Sequence, residues 1–318
     1  MKARAAGLAA VPGIALAVLF ALAAPAAART ACPGHFANGT APDITRPALG
    51  REVRELCFEG FAILHSGVSR TPLAAAEHLT RARLAAARDM RREGSFHEES
   101  RLPQDERADL SDYARSGYDR GHMAPSGDMP TPTAMSESFS LANMVPQHPA
   151  SNRCLWERIE TAVRHLVEKE GEAYVVTGPI FAGDSIDRIG GRVLVPTSLF
   201  KAVYVPGRGS AAYVTANRPG ADWREVSPAE LRDLAGLDAF PGLPAALEAR
   251  ALNLPDPRAP PRHGLCSEEG AVAAAPAPTP AQPARGPQVA GFGVTTLVAA
   301  GVVAVVLVAA VRRIFGRR

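Results

Sequence analysis

Residues 289–311 carry no charged side chain and consist mostly of Val, Ala and Leu. A run of that length spans the hydrocarbon core of a bilayer as a helix. Arg312, Arg313, Arg317 and Arg318 follow at once, and the positive-inside rule keeps them in the cytoplasm with the bulk of the chain on the other side. A buried core helix fits less well, because the segment is apolar all round. The opposite end reads the same way. Lys2 and Arg4 precede an apolar stretch over residues 5–24, and Pro25-Ala-Ala-Ala28 ends it with small residues, the grammar of a secretory signal peptide. An uncleaved N-terminal anchor is the competing reading. These two ends confine any water-soluble fold to the residues between them. The expected segments are a signal peptide over 1–28, one domain over 29–268, an Ala/Pro-rich stiff spacer over 269–288, a transmembrane helix over 289–311 and a basic tail over 312–318.

Only three lysines occur, Lys2, Lys169 and Lys201, against many arginines and alanines. That bias suggests GC-rich coding and a bacterial source. The expected location is the inner membrane, single-pass, with the domain on the periplasmic side and the lipid bilayer as a partner. The net charge of +3 belongs to the ends. Removing Lys2, Arg4 and the four terminal arginines leaves 29 basic against 32 acidic residues, a net −3. Bulk charge therefore gives no support for nucleic-acid binding, which would need a local basic cleft. An exported chain meets an oxidising compartment, so its four cysteines are free to pair. Cys32 with Cys57 is the expected first bridge. Cys154 with Cys266 is the remainder, unless Cys154 is a buried free thiol.

Residues 29–55 read as an irregular strap rich in Gly and Pro, and residues 59–65 as a short strand. Residues 71–80 mix helical and strand formers. Residues 81–103 are charged and read as loop. Glu157–Glu170 repeats apolar residues at helical spacing through Ile159, Val163, Leu166 and Val167. Residues 173–179, 192–196, 199–205 and 211–215 read as strands. Ser227 is the expected N-cap of a helix ending at Gly236, with Glu230 completing a capping box. Strands and helices are segregated, so the expected class is α+β.

The chemistry concentrates in Ser116-Gly-Tyr-Asp-Arg-Gly-His-Met-Ala-Pro125 and in residues 141–160. His122 is the base candidate, since an imidazole accepts a proton from water near neutrality. The competing reading is a histidine that merely hydrogen-bonds at a strand end. Gly121 permits close approach of backbone or substrate. Asn152 offers a hard neutral oxygen suited to Mg²⁺, or else caps the helix that follows. Glu160 lies two helical turns on, on roughly the same side, placed to hold water beside such an ion, or else is an exposed helix residue. Trp156 is core. Asn143 bonds a phosphate or the loop carrying His122, or else is a turn residue. Arg120 forks onto phosphate oxygens, or pairs with Asp119 or Asp128. Asp119 is assigned to structure.

The Asp-Arg-Gly-His motif and the downstream Asn-Arg-Cys-Leu-Trp-Glu-Arg-Ile-Glu element together resemble the DNA/RNA non-specific endonucleases, the ββα-metal nucleases. The resemblance covers about residues 58–247 and includes Val-Thr-Gly-Pro179 and Val195-Pro-Thr-Ser-Leu-Phe-Lys201. It implies an antiparallel sheet with packed helices, including a strand over Thr71–Thr80. It implies His122 as general base, Asn152 as the direct protein ligand of Mg²⁺, with Mn²⁺ the alternative ion, and Asn143, Glu160 and Arg120 as catalytic residues. An upstream phosphate-contacting arginine matches Arg92 or Arg91. The implied activity is hydrolysis of DNA and RNA through backbone contacts, leaving 5′-phosphate and 3′-hydroxyl ends. Two other readings remain: a non-catalytic nucleic-acid-binding envelope module on the same fold, and a phosphodiesterase for smaller substrates. A zinc hydrolase is disfavoured, because no His-Glu-x-x-His occurs and the cysteines lack metal-like spacing. Oligomeric state is not set, and a homodimer is one open arrangement.

Overall fold

A computed structural model describes residues 30–220, 222–248, 252–257 and 266. The expected signal peptide, the spacer, the transmembrane helix and the basic tail lie outside the described residues. Among the described residues, no helix is long and apolar enough to cross a membrane.

Apart from two-residue pairings, the strands among the described residues are, in chain order, β1 (Val53–Cys57), β2 (Ala62–Ser66), β3 (Thr71–Thr80), β4 (Asp119–His122), β5 (Met144–Gln147), β6 (Glu172–Ile180), β7 (Ser198–Val205), β8 (Gly209–Ala216) and β9 (Trp223–Val226). Among the described residues, the longer helices around them are α1 (Arg81–Asp89), α2 (Pro132–Ser138), α3 (Glu157–Glu170) and α4 (Pro228–Ala235), beside two four-residue helices, Leu110–Tyr113 and Ala245–Glu248. Seven strands form one antiparallel sheet in the order β9-β8-β7-β6-β3-β2-β1. Side chains alternate across it, as the pleat requires. Ala75, Leu79, Val175, Leu199, Val203 and Tyr213 pack on one face with Ile159, Val163 and Leu166 of α3. Ala74, Ala76, Val176, Phe200, Ala202 and Val214 pack on the other with Leu231 and Ala235 of α4. Both faces are covered, so the central strands are buried almost throughout.

The α+β expectation holds, with three layers built on an antiparallel sheet. β3 occupies Thr71–Thr80, as the resemblance implied, although Ala is a weak strand former; burial on both faces overrides the propensity. Four expectations are corrected. Residues 81–89 are helix α1 rather than loop. Thr80 accepts from the Arg83 amide as N-cap, and Leu84 and Ala87 are buried. The strap contains two 3₁₀ turns, a two-residue strand Asp43–Ile44 paired with Leu237–Asp238, and the edge strand β1. The expected strand over 192–196 shrinks to Val193–Leu194, paired with Arg188–Ile189. Ser227 does cap α4 through the Glu230 amide, and Gly236 ends it in the left-handed region, but the Glu230 carboxylate pairs with Arg224 instead of closing the box. Both expected disulfides are present, Cys32–Cys57 and Cys154–Cys266.

Candidate active site

β4 and β5 form a separate antiparallel pair, with His122 opposite Met144. A π-helical turn, Ser151–Trp156, leads from β5 into α3. Such widened turns re-aim side chains and recur at functional sites. Strand, strand and helix thus enclose a cleft of about 510 Å³ lined by His122, Asn152, Glu160, Arg92 and Arg120, among others.

His122 ends β4 with its Nε2 buried and, among the described residues, without a hydrogen-bond partner. The Phe139 ring meets its imidazole edge-on at 5.1 Å, and Phe96 lies 5.8 Å away. Burial, helped by the nearby Arg92 charge, lowers its pKa to about 3, so the imidazole is neutral at pH 7. Gly121 serves a purpose other than the expected one. A Cβ there would meet Gln147 Oε1 at 2.1 Å, so the glycine admits a buried side chain from the paired strand rather than substrate.

Asn152 is not a helix cap. Its Nδ2 donates to Asp119 Oδ2 at 3.0 Å, which leaves Oδ1 as the uncommitted end of the amide. Arg153 donates from Nε and Nη2 to the same carboxylate at 2.8 and 2.7 Å. Asp119 therefore clasps the strand of His122 to the turn of Asn152, in keeping with its structural assignment. The fit to a small hard cation is good: a neutral oxygen oriented by a carboxylate, in a cleft with room for the waters Mg²⁺ keeps.

Glu160 lines the cleft with its side chain 13% exposed, and it pairs with Arg164 one turn on at 3.6 Å. Burial raises its pKa against the opposing pull of Arg164 and Lys201. Arg164 in turn donates to Asp128 Oδ1 at 2.5 Å. Beside this chain, Arg83 pairs with the buried Glu77 and donates to the Asp128 carbonyl. The cleft floor is a web of compensated charge, which fixes side chains that a single exposed pair would leave mobile.

Arg120 lines the cleft free of both carboxylates considered for it. Asp119 is taken by Asn152 and Arg153, and Asp128 by Arg164. Its guanidinium lies 4.8 Å from the Phe96 ring and 5.6 Å from that of Tyr113, and its buried Nε has no hydrogen-bond partner among the described residues. Arg92 lies 5.8 Å from the Phe139 ring and lines the cleft. Arg91 does not; its side chain is 89% exposed and pairs with Glu93, so the alternative match is corrected to Arg92.

Of the readings open for Asn143, the bond to the loop carrying His122 is the one found, and the direct catalytic role is corrected. The residue is 0% exposed and outside the cleft. Its Oδ1 accepts from the Ala124 amide at 2.9 Å, and its Nδ2 donates to the carbonyls of Ala124 and Ser138 at 2.8 and 2.9 Å. It holds the loop that leaves His122 and is a positioning residue, with no donor left for substrate. Arg164, Phe96 and Phe139 were missed in the sequence, and Asp128 entered it only as a partner for Arg120. Only Arg164 had a signal, its i+4 spacing from Glu160 on a legible helix.

The model for the DNA/RNA non-specific endonuclease family matches residues 41–246. The mitochondrial nuclease EXOG of Xenopus laevis is 33% identical over 219 residues, covering 62% of this chain and 60% of that protein. Nuclease C1 of Cunninghamella echinulata var. echinulata is 36% identical over 180 residues, covering 52% and 71%. The chain thus spans less than two thirds of the length of the EXOG relative. A solved structure of the EndoG/EndoGI complex superposes with a TM-score of 0.57 at 28% identity, over 62% of this chain and 88% of that one. With the family model covering most of the described fold, the chain belongs to the DNA/RNA non-specific endonuclease family.

Proposed function

We propose that this chain hydrolyses phosphodiester bonds of both DNA and RNA, with His122 as general base and Asn152 as the protein ligand of Mg²⁺. One observation carries the reading. A neutral imidazole with an unpartnered nitrogen and an amide with an uncommitted oxygen line the same cleft, amid guanidinium groups. The Mg²⁺ ion, when bound, neutralises charge on the scissile phosphate and the leaving oxygen. Asn152 Oδ1 would hold it, with Mn²⁺ the alternative, and Glu160 would order water nearby. His122 takes a proton from the attacking water; burial leaves its imidazole neutral, the form that accepts one, at neutral pH. Arg120 is the uncommitted fork for the phosphate, and Arg92 adds charge at the rim. Backbone contacts alone suffice, so base sequence is not read; 5′-phosphate and 3′-hydroxyl ends are what the family resemblance implies.

The apolar residues 289–311 and the arginines after them support a tether, with the nuclease domain outside the cytoplasm. Protease accessibility in intact cells and spheroplasts checks that placement. The activity test incubates the full chain with supercoiled plasmid and with RNA, with Mg²⁺ or EDTA, beside His122→Ala. Metal-dependent cutting of both substrates, lost in the variant, is expected. A folded chain that binds but cuts neither would shift the reading to the nucleic-acid-binding module.

A further inference from the structure

The cleft's cations are not equivalent. Arg164 is spent within the floor and Arg120 lies over the Phe96 and Tyr113 rings, whereas the Arg153 side chain is 55% exposed where it lines the cleft. It follows Asn152 directly in the chain. The Asp119 carboxylate engages its Nε and Nη2, one edge of the guanidinium. A guanidinium has five donors, so this pairing orients the group without exhausting it, and among the described residues the Nη1 end makes no hydrogen bond. The backbone beneath is fixed as well. The neighbouring Cys154 is bridged to Cys266, whose Sγ lies 3.6 Å from the Arg153 carbonyl. An oriented, half-spent arginine on a stapled turn is what a fork for an oxyanion requires, since little freedom is lost on binding.

Resting on the function proposed above, we propose that Arg153 forms a second phosphate subsite, binding the nucleic-acid phosphate adjacent to the scissile one on the Asn152 side. It adds affinity for a polynucleotide without touching the reacting atoms. Asp119 takes one edge of the Arg153 guanidinium, and the adjacent phosphate takes the other.

The test separates this role from a merely structural clamp on Asp119. Full-length protein and Arg153→Gln, which retains an amide donor for Asp119, are compared on homopolymeric RNA. KM should rise roughly fivefold, the scale of one charged contact, while kcat stays within about twofold. Binding of a labelled single-stranded oligonucleotide is then measured in the His122→Ala background, with and without Arg153→Gln, across salt concentrations. The slope of log affinity against log salt should shrink by about 0.7, the contribution of one phosphate contact on a single strand. Arg153→Lys should restore part of the slope. A matched fall in kcat and kcat/KM with an unchanged salt slope would overturn the subsite and leave Arg153 as a clamp. Failure of the His122→Ala protein itself to bind the oligonucleotide would instead remove the nuclease reading beneath it.

Discussion

Replacing Asn143 with Ala tests whether this residue acts on the substrate or on the fold. The side chain is fully buried, and its three hydrogen bonds all end on backbone groups: the amide and carbonyl of Ala124 and the carbonyl of Ser138. Truncation leaves one buried N–H and two buried carbonyls without those partners. Each orphaned group costs about 1–3 kcal/mol, less what an entering water recovers, so a loss of about 3–5 kcal/mol is expected. For a domain of this size that lowers the melting temperature by roughly 6–20 °C. Activity falls too, because Ala124 follows His122 by two residues and the freed loop lets the imidazole wander. Asn143→Asp should behave similarly, since a carboxylate cannot donate to the two carbonyls. The assays are thermal unfolding by circular dichroism and plasmid cleavage well below the melting point. An unchanged melting temperature with kcat abolished would refute the argument and return Asn143 to direct contact with substrate.

Four further outcomes follow from the cleft and the strand pair beside it. Because burial holds His122 well below 6.5 and raises Glu160 above 4.5, the acid limb of kcat/KM should report Glu160, not the imidazole; Glu160→Gln should flatten that limb, and an inflection surviving near pH 6.5 would contradict it. The same His122 shift has a stability sign: below about pH 6.5 the unfolded chain takes up a proton that the folded chain refuses, so stability falls as pH drops, and His122→Leu should reduce that slope in urea titrations. Asp119→Ala frees the Asn152 amide, so the Mg²⁺ concentration for half-maximal rate should rise about 10–100-fold. Melting should move little, because the Arg153 arm of that cluster is half exposed; an unchanged Mg²⁺ requirement would count against Asn152 as ligand. Gly121→Ala should cost roughly 1–3 kcal/mol in unfolding, since its Cβ meets Gln147 Oε1 at 2.1 Å; native-like melting would show that the strands part freely.

Much of this site is legible in the sequence because its parts are local. Asp119, Arg120 and His122 share four residues of one strand, and Asn152 and Glu160 share one helix and its entry turn, so spacing alone places them. Helix α3 is legible for the same reason: its apolar period is a property of consecutive residues. What the sequence left open was decided by partners far along the chain. Whether Asn152 caps a helix or presents an oxygen depends on Asp119, 33 residues earlier. Whether Asn143 meets substrate or backbone depends on how the loop after His122 folds back across it. Arg120 keeps its fork because Arg153 and Arg164 claim the carboxylates it had been offered. Helix α1 was hidden because its Ala- and Arg-rich run carries little periodicity, and its buried face exists only once the sheet and α3 are assembled. Local periodicity and motif spacing are written in neighbouring residues; the competition of polar groups for one another is settled only when burial removes water as the alternative partner.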